Sequence, residues 1–225
     1  MSPALGRLLV IAPHPDDEVL GCGGTIARVA AEGGEVHVAV VTRGCPPAFT
    51  EEMTQQVRSE AKAAHAGLGV RHTHWLDLPA AQLGQTPHST VNAALQALLQ
   101  AVKPDTLLIP FVGDVHMDHQ LIFLSSLVAA RPTQSHYPRT IMAYETVSET
   151  NWNAPYVTPS FVPNVFIDIQ ATLDRKLEAA SMFASQIKNF PHERSIETLR
   201  ALAIVRGTAV HLRAAEAFVL LRNVI

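Results

Sequence analysis

Short apolar runs alternate with longer segments of helical periodicity between residues 8 and 130 of this 225-residue chain. Runs of this kind are typical of strands that are buried on both faces of a parallel sheet. The expected strands are Leu8–Ala12, Val36–Thr42, His72–Leu76 and Thr106–Pro110, and the expected helices are Val19–Glu32, Glu51–Leu68, Val91–Val102 and Gln120–Ala130. The alternation predicts an α/β fold with a Rossmann-like, mostly parallel sheet and helices on both faces.

The alternation becomes less regular after Arg131. The expected strands there are Thr140–Tyr144 and Asn164–Asp168, the expected helices are Leu173–Ile187 and Ile196–Arg206, and Ala217–Arg222 forms a last helical turn or strand. The chain contains no repeat, no low-complexity tract and no convincing linker. Hydrophobic residues make up 48% of it, which is enough for a sizeable core. We therefore predict one domain over residues 1–225.

The composition argues against several kinds of partner. A formal net charge of −3 gives no indication of nucleic-acid or membrane-surface binding. The apolar N-terminal stretch is short and runs straight into His14, so it predicts a strand rather than a signal peptide, and no apolar run is long enough to span a bilayer. Cys22 and Cys45 form no CxxC motif and are expected to be reduced thiols. These features predict a cytoplasmic protein.

Two clusters of histidines and carboxylates each follow a predicted strand. His14-Pro15-Asp16-Asp17-Glu18 comes directly after the first strand, and His116-Met117-Asp118-His119 comes after Thr106–Pro110. In an open α/β sheet, sites form in the crevice beyond the carboxyl ends of the strands. Carboxylates at a helix start also serve as ordinary caps, which would explain the first cluster equally well if it stood alone. The two clusters together predict one shared metal site.

A hydrolytic zinc site usually takes three protein ligands and leaves one position for water. His14 and Asp17 can face one point if the chain turns tightly at Pro15, and His119 completes a His-Asp-His set. Asp16 is then free to act as a general base towards that water. The chain thus offers ligands for one zinc ion.

The second cluster offers two further groups for catalysis. His116 can stabilise developing charge or pass a proton, and Asp118 can fix the tautomer of its ring. Six other histidines have no paired spacing and are expected to be surface residues or internally hydrogen-bonded: His65, His72, His74, His88, His136 and His211. The segment Pro191–Ser195 is interpreted as a helix-capping loop, with the lining of a substrate pocket as the alternative.

The residues around both clusters resemble a known family. Ala12-Pro13-His14-Pro15-Asp16-Asp17-Glu18 and Gly21-Cys22-Gly23-Gly24-Thr25 are similar to the opening motif of the LmbE-like, or PIG-L, zinc-dependent N-acetylglucosamine deacetylases. His116-Met117-Asp118-His119 is similar to the second motif of that family. Further matching parts are Thr42-Arg43-Gly44, Arg58, Glu60, Leu68-Gly69-Val70, Ser185-Gln186, Arg206-Gly207 and Ala215-Glu216-Ala217-Phe218. Phe183 departs from the pattern, because family members often carry a histidine there.

The resemblance implies a role for each matching site residue. The implied zinc ligands are His14, Asp17 and His119, and the implied general base is Asp16. His116 is the implied oxyanion stabiliser or acid, paired with Asp118. Arg58 is implied to reach substrate hydroxyls or a phosphate, whereas an exposed salt bridge is the ordinary role for an arginine on a helix.

The resemblance also implies the reaction. The expected enzyme is a metal-dependent N-deacetylase that removes the N-acetyl group from an N-acetylglucosamine-type amino sugar or its conjugate, releasing acetate and a free amine. The resemblance allows a homo-oligomer, since such assemblies occur in the family, but the sequence does not determine the oligomeric state. The identity of the aglycone is not determined by the sequence.

Two other functions stay open. A metal-dependent phosphoesterase also uses clustered His and Asp, although such sites commonly hold two metal ions. A non-catalytic sugar-binding protein on the same fold would not need a free carboxylate such as Asp16 beside the metal ligands.

Overall fold

The computed structural model describes residues 5–133 and 135–225. In this part of the chain, seven strands form one sheet in the order β3-β2-β1-β4-β5-β7-β6. The strands are β1 Leu8–Ala12, β2 Val36–Arg43, β3 His72–Pro79, β4 Thr106–Pro110, β5 Thr140–Tyr144, β6 Val165–Asp168 and β7 Ala215–Asn223. β1 to β5 are parallel, whereas β7 runs antiparallel to both β5 and β6. The predicted mostly parallel sheet is confirmed.

Helices cover both faces of the sheet. They are α1 Asp17–Ala31, α2 Glu51–Leu68, α3 His88–Val102, α4 Met117–Ala129, α5 Leu173–Ser181 and α6 Ile196–Thr208. α1, α2, α5 and α6 pack on one face, and α3 and α4 pack on the other. Because β1 lies between two covered faces, all five of its residues are buried, which explains its uninterrupted apolar sequence.

In the C-terminal third, one helix is shorter than predicted, and one segment adopts the second of its two predicted alternatives. The helix expected over Leu173–Ile187 ends at Ser181, because Ser185 turns towards α2 and donates its backbone N–H and its hydroxyl to Glu60 at 3.1 and 2.5 Å. Ala217–Arg222, predicted as a last helical turn or a strand, lies within β7 and pairs with β5 and β6, so the strand alternative is confirmed. Both outcomes depend on partners that are distant in the sequence.

The strand order places a crevice beside β1. From β1 the chain moves outwards through β2 to β3, and it then returns to form β4 on the other side of β1. Loops leaving β1 and β4 therefore diverge at their carboxyl ends, which is where open α/β sheets bind ligands. Among the described residues, none of the helices combines the length and apolar character needed to cross a membrane.

Candidate metal centre and active site

The turn between β1 and α1 is strained. Asp16 has a φ of 131°, a conformation that costs free energy for a residue with a Cβ. Among the described residues, the Asp16 side chain makes no capping hydrogen bond to α1, and its backbone N–H donates to Glu18 Oε2 at 3.2 Å. Glu18 is itself held by His65 at 2.8 Å. The Asp16 carboxylate therefore does not serve as an ordinary helix cap.

The three residues expected as zinc ligands come together. Asp17 Oδ2 lies 3.3 Å from His14 Nδ1 and 3.2 Å from His119 Nε2. Donor atoms of the three residues all lie within 4.8 Å of one another. His14 and Asp17 come from the β1 turn, and His119 comes from the first turn of α4, which follows the neighbouring strand β4.

Two buried atoms of this group fit a cation. Asp17 Oδ1 and His119 Nε2 have no hydrogen-bond partner among the described residues. Buried polar atoms are almost always paired, so two unpaired atoms that belong to adjacent ligand-type side chains need an explanation. Two imidazoles and one carboxylate suit zinc and leave a coordination position for water.

A second layer of hydrogen bonds orients His119. Its Nδ1 lies 2.8 Å from Asp114 Oδ2, and Asp114 Oδ1 accepts a hydrogen bond of 2.6 Å from the Thr150 hydroxyl. Histidines that bind metals usually donate their second ring N–H to a carboxylate in this way. Sequence reasoning missed Asp114, although it stands just before the His116–His119 cluster and after a predicted strand.

Nearby carboxylates stabilise positive charge on the two histidines of the centre. Burial opposes the charged form of His14, but hydrogen bonds to Asp118 and Asp17 outweigh it and raise its pKa to about 9. Burial also opposes the charged form of His119, but the negative charges of Asp17 and Asp114 and the hydrogen bond to Asp114 outweigh it and raise its pKa to about 10. In the metal-free protein both rings are therefore protonated at neutral pH.

His116 is the N-cap of α4. Its Nδ1 accepts a hydrogen bond of 3.1 Å from the backbone N–H of Asp118, so the neutral ring carries its proton on Nε2. Burial lowers the pKa of His116 to about 4, and the charges of His14 and His119 add to this effect. The ring is therefore a neutral hydrogen-bond donor near pH 7.

Asp118 fixes the tautomer of the His116 ring through its backbone N–H, and its carboxylate does not contact that ring. Asp118 Oδ2 lies 3.1 Å from His14 Nε2 and accepts a hydrogen bond of 2.7 Å from the backbone N–H of Ala81. The reason is that His116 binds the Asp118 backbone as a cap, while the Asp118 side chain points towards the β1 turn. Asp118 therefore orients the ligand His14 in the way that Asp114 orients His119.

Asp16 is held by a residue that sequence reasoning did not single out. Arg194 Nη1 donates to Asp16 Oδ2 at 2.8 Å, and its Nε donates to Ser148 Oγ at 2.8 Å. Burial raises the pKa of Asp16 to about 8, and the charge of Arg194 opposes that rise. A carboxylate with a pKa near neutrality suits a general base.

The loop that carries Arg194 has two functions. Ser195 caps α6, since its Oγ accepts a hydrogen bond of 3.2 Å from the backbone N–H of Thr198, as the interpretation of this loop as a capping segment requires. The neighbouring Arg194 reaches back to the β1 turn. Nothing in the local sequence pattern distinguishes Arg194 from an exposed arginine.

A cavity of about 260 Å³ opens onto the candidate catalytic groups. His14, Asp16 and His116 line it, and so does Arg58. The Arg58 guanidinium stacks 4.6 Å above the Trp75 ring and forms an ion pair with Asp77. Both roles considered for Arg58 are thus compatible with its position. Apolar contacts in the cavity come from Phe49, Met53 and Val57.

A buried His-Asp-His centre with a carboxylate beside it is the donor set of a hydrolytic metal enzyme. Residues 9–130 match the PIG-L family, described as GlcNAc-PI de-N-acetylase. The chain belongs to this family, and the resemblance drawn from its motifs is confirmed.

Individual relatives agree with the family assignment. The chain is 27% identical to 1D-myo-inositol 2-acetamido-2-deoxy-alpha-D-glucopyranoside deacetylase of Rhodococcus jostii, over 96% of this chain and 92% of that protein. It is 26% identical to diacetylchitobiose deacetylase of Thermococcus kodakarensis, over 93% of this chain and 81% of the relative. The crystal structure of a conserved protein from Thermus thermophilus superposes with a TM-score of 0.80 at 25% identity, covering 98% of this chain and 97% of that one.

Proposed function

We propose that this protein is a zinc-dependent N-deacetylase that hydrolyses the N-acetyl group of an N-acetylglucosamine-type amino sugar or its conjugate. The products are acetate and a free amine. The observation that carries the proposal is the placement of Asp16 beside the His14–Asp17–His119 group, on the same cavity as His116. Membership of a de-N-acetylase family supports it.

Zinc bound by His14, Asp17 and His119 would lower the pKa of a water ligand to ~7 and polarise the amide carbonyl. Asp16 takes the proton from the attacking water and returns it to the leaving nitrogen. Arg194 occupies Asp16 Oδ2, so Oδ1 is the oxygen that faces this proton. The neutral His116 ring donates its Nε2–H to the oxyanion that forms at the carbonyl carbon.

The substrate class follows from what two relatives have in common. The names of both describe acetylated glucosamine units, one joined to inositol and the other in a disaccharide. We infer that this protein accepts a sugar that carries a 2-acetamido group, with its aglycone directed towards Arg58 and the apolar side chains at the cavity mouth. A cytoplasmic location stays a prediction, and the oligomeric state stays open.

The proposal is tested by measuring acetate release from N-acetylglucosamine, diacetylchitobiose and an N-acetylglucosaminyl inositol, each with zinc-loaded protein. We expect acetate and free amine in equal amounts from at least one substrate, and release slower by ~10²–10⁴-fold with Asp16→Asn. Phosphate release from a sugar phosphate without acetate release would favour the phosphoesterase. Binding of the sugars without turnover would favour the sugar-binding protein.

A further inference from the structure

A second histidine cluster lies on β2 and β3, at the opposite end of these strands from the candidate active site. His37 on β2 is directly paired in register with His72 on β3, and His74 follows on the same face. The ring centroid of His37 lies 5.1 Å from that of His72 and 5.3 Å from that of His74. Arg43, which lines the active-site cavity, lies about 20 Å further along β2 at the usual strand rise.

We propose that His37, His74 and His72 bind a divalent transition-metal ion, with zinc as the ion used to test the site. Imidazole nitrogen is a preferred ligand of zinc, copper and nickel. The rings around His37 are spaced like those of His14 and His119, whose centroids are 5.4 Å apart, whereas the His72 and His74 centroids are 6.4 Å apart. The three donors of this cluster therefore converge on one ion only after His72 turns towards the other two. The site goes beyond the proposed deacetylase function and does not depend on it.

The positions of two nitrogens carry the proposal. His37 Nδ1 and His74 Nε2 are 3.0 Å apart. Two nitrogens bound to one tetrahedral zinc ion at 2.0–2.1 Å would be about 3.3 Å apart. The pair is therefore already close to the spacing of two ligands of the same ion. His72 is exposed, so its side chain is free to rotate towards the pair as a third ligand.

A carboxylate orients His37 in the way expected of a metal ligand. His37 Nε2 lies 3.1 Å from Glu35 Oε1, and Glu35 is held in turn by Arg7 at 2.9 Å and by Arg71 at 3.6 Å. When His37 is neutral and donates from Nε2, its Nδ1 presents a lone pair towards His74. The Glu35–His37 pair thus repeats the relation of Asp114 to His119.

The hydrogen bond between the two rings is compatible with metal binding. With the His37 proton on Nε2 towards Glu35, His37 Nδ1 accepts from His74 Nε2. Binding of an ion would move the His74 proton to its Nδ1 and leave both facing nitrogens free as ligands. Burial lowers the pKa of both rings, in the direction that favours the neutral ligand form.

β3 is the outermost strand at its end of the sheet. An ion shared by β2 and β3 would therefore attach this edge strand to its neighbour. Beyond the cluster, the same segment leads to Ala81, whose backbone N–H holds Asp118 beside the catalytic ligands. We expect the ion to stabilise the fold rather than to take part in the reaction.

Equilibrium dialysis against zinc, followed by elemental analysis, tests the proposal. We expect two zinc ions per wild-type chain and one in His74→Gln and in His72→Gln. His211→Asn is the matched control: it removes an exposed imidazole elsewhere, and asparagine tolerates the φ of 62° at that position. It should keep two ions. Glu35→Gln should weaken the second ion ~10–100-fold.

Titration calorimetry of zinc into the metal-free protein measures the two sites separately. We expect two binding events in the wild-type protein, and one each in His74→Gln and in His119→Ala. Saturation of the wild-type protein at one zinc ion, or equal zinc content in wild type, His74→Gln and His72→Gln, would overturn the proposal. Because His72 is exposed on an edge strand, its variant remains informative if His74→Gln fails to fold.

Discussion

The metal ligands and the residues that hold the general base come from two different kinds of region. His14, Asp17 and His119 lie at the carboxyl ends of the adjacent strands β1 and β4, within short motifs that the strands place side by side. Arg194 lies in the loop before α6 and reaches Asp16 across 178 positions of sequence. The comparison shows that strand pairing assembles the metal centre, whereas loop packing determines the state of the base.

Loss of a metal ligand is the largest expected effect. His119→Ala should lower the bound zinc by one ion per chain and abolish acetate release, because two remaining ligands hold zinc poorly. Elemental analysis checks the metal, and circular dichroism checks the fold. His211→Asn, which changes a histidine outside both clusters, should keep its zinc and its activity. Full zinc occupancy in His119→Ala would remove this residue from the ligand set.

Replacing the general base Asp16 should lower catalysis without changing zinc binding. Asp16→Asn keeps the shape of the side chain and the metal ligands but cannot accept a proton. We expect unchanged zinc content and a kcat lower by ~10²–10⁴-fold, the usual contribution of a general base. Near-normal turnover would show that another group accepts the proton.

Replacing Asp114, the carboxylate that is hydrogen-bonded to His119, should have an intermediate effect. Asp114→Asn removes the charge that orients the ring, and changes of this kind typically cost ~10–100-fold in metal affinity. Competition with a chromophoric chelator measures the affinity. The affinity of both variant and wild type should rise with pH, because His14 and His119 must lose protons from pKa values of about 9 and 10. A wild-type affinity that is flat between pH 6 and 9 would contradict the raised pKa values.

Replacing Arg194 has the smallest expected effect, and it tests how the loop before α6 controls Asp16. Its charge lowers the pKa of Asp16, so Arg194→Ala should raise that pKa. Asp16 then becomes protonated at a higher pH, so the acidic limb of the kcat/KM profile should move upwards by about one pH unit. At pH values below that limb, activity should be about tenfold lower than in the wild type. Arg194→Lys should restore part of the shift. Lower activity with an unchanged pH profile would indicate a purely structural role.

Much of the framework of strands and helices that carries the metal ligands could be predicted from local sequence. β1, β4, β5 and α2 have the predicted bounds, because each is a short apolar run or an amphipathic segment between clear stop signals. α4 begins at Met117, three residues before the predicted start at Gln120, because the His116 ring supplies the cap. A histidine is an unusual cap, so the sequence pattern did not indicate it.

The sequence by itself determined the alternation of strands and helices, the two motifs and the three candidate ligands. Apolar periodicity is local, and parallel strands necessarily bring their carboxyl ends to one edge of the sheet. Only the tertiary structure decided that Asp118 contacts His14, that Arg194 holds Asp16 and that three histidines meet on β2 and β3. Each of these contacts joins segments far apart in the chain, so its geometry depends on the packing of the whole fold.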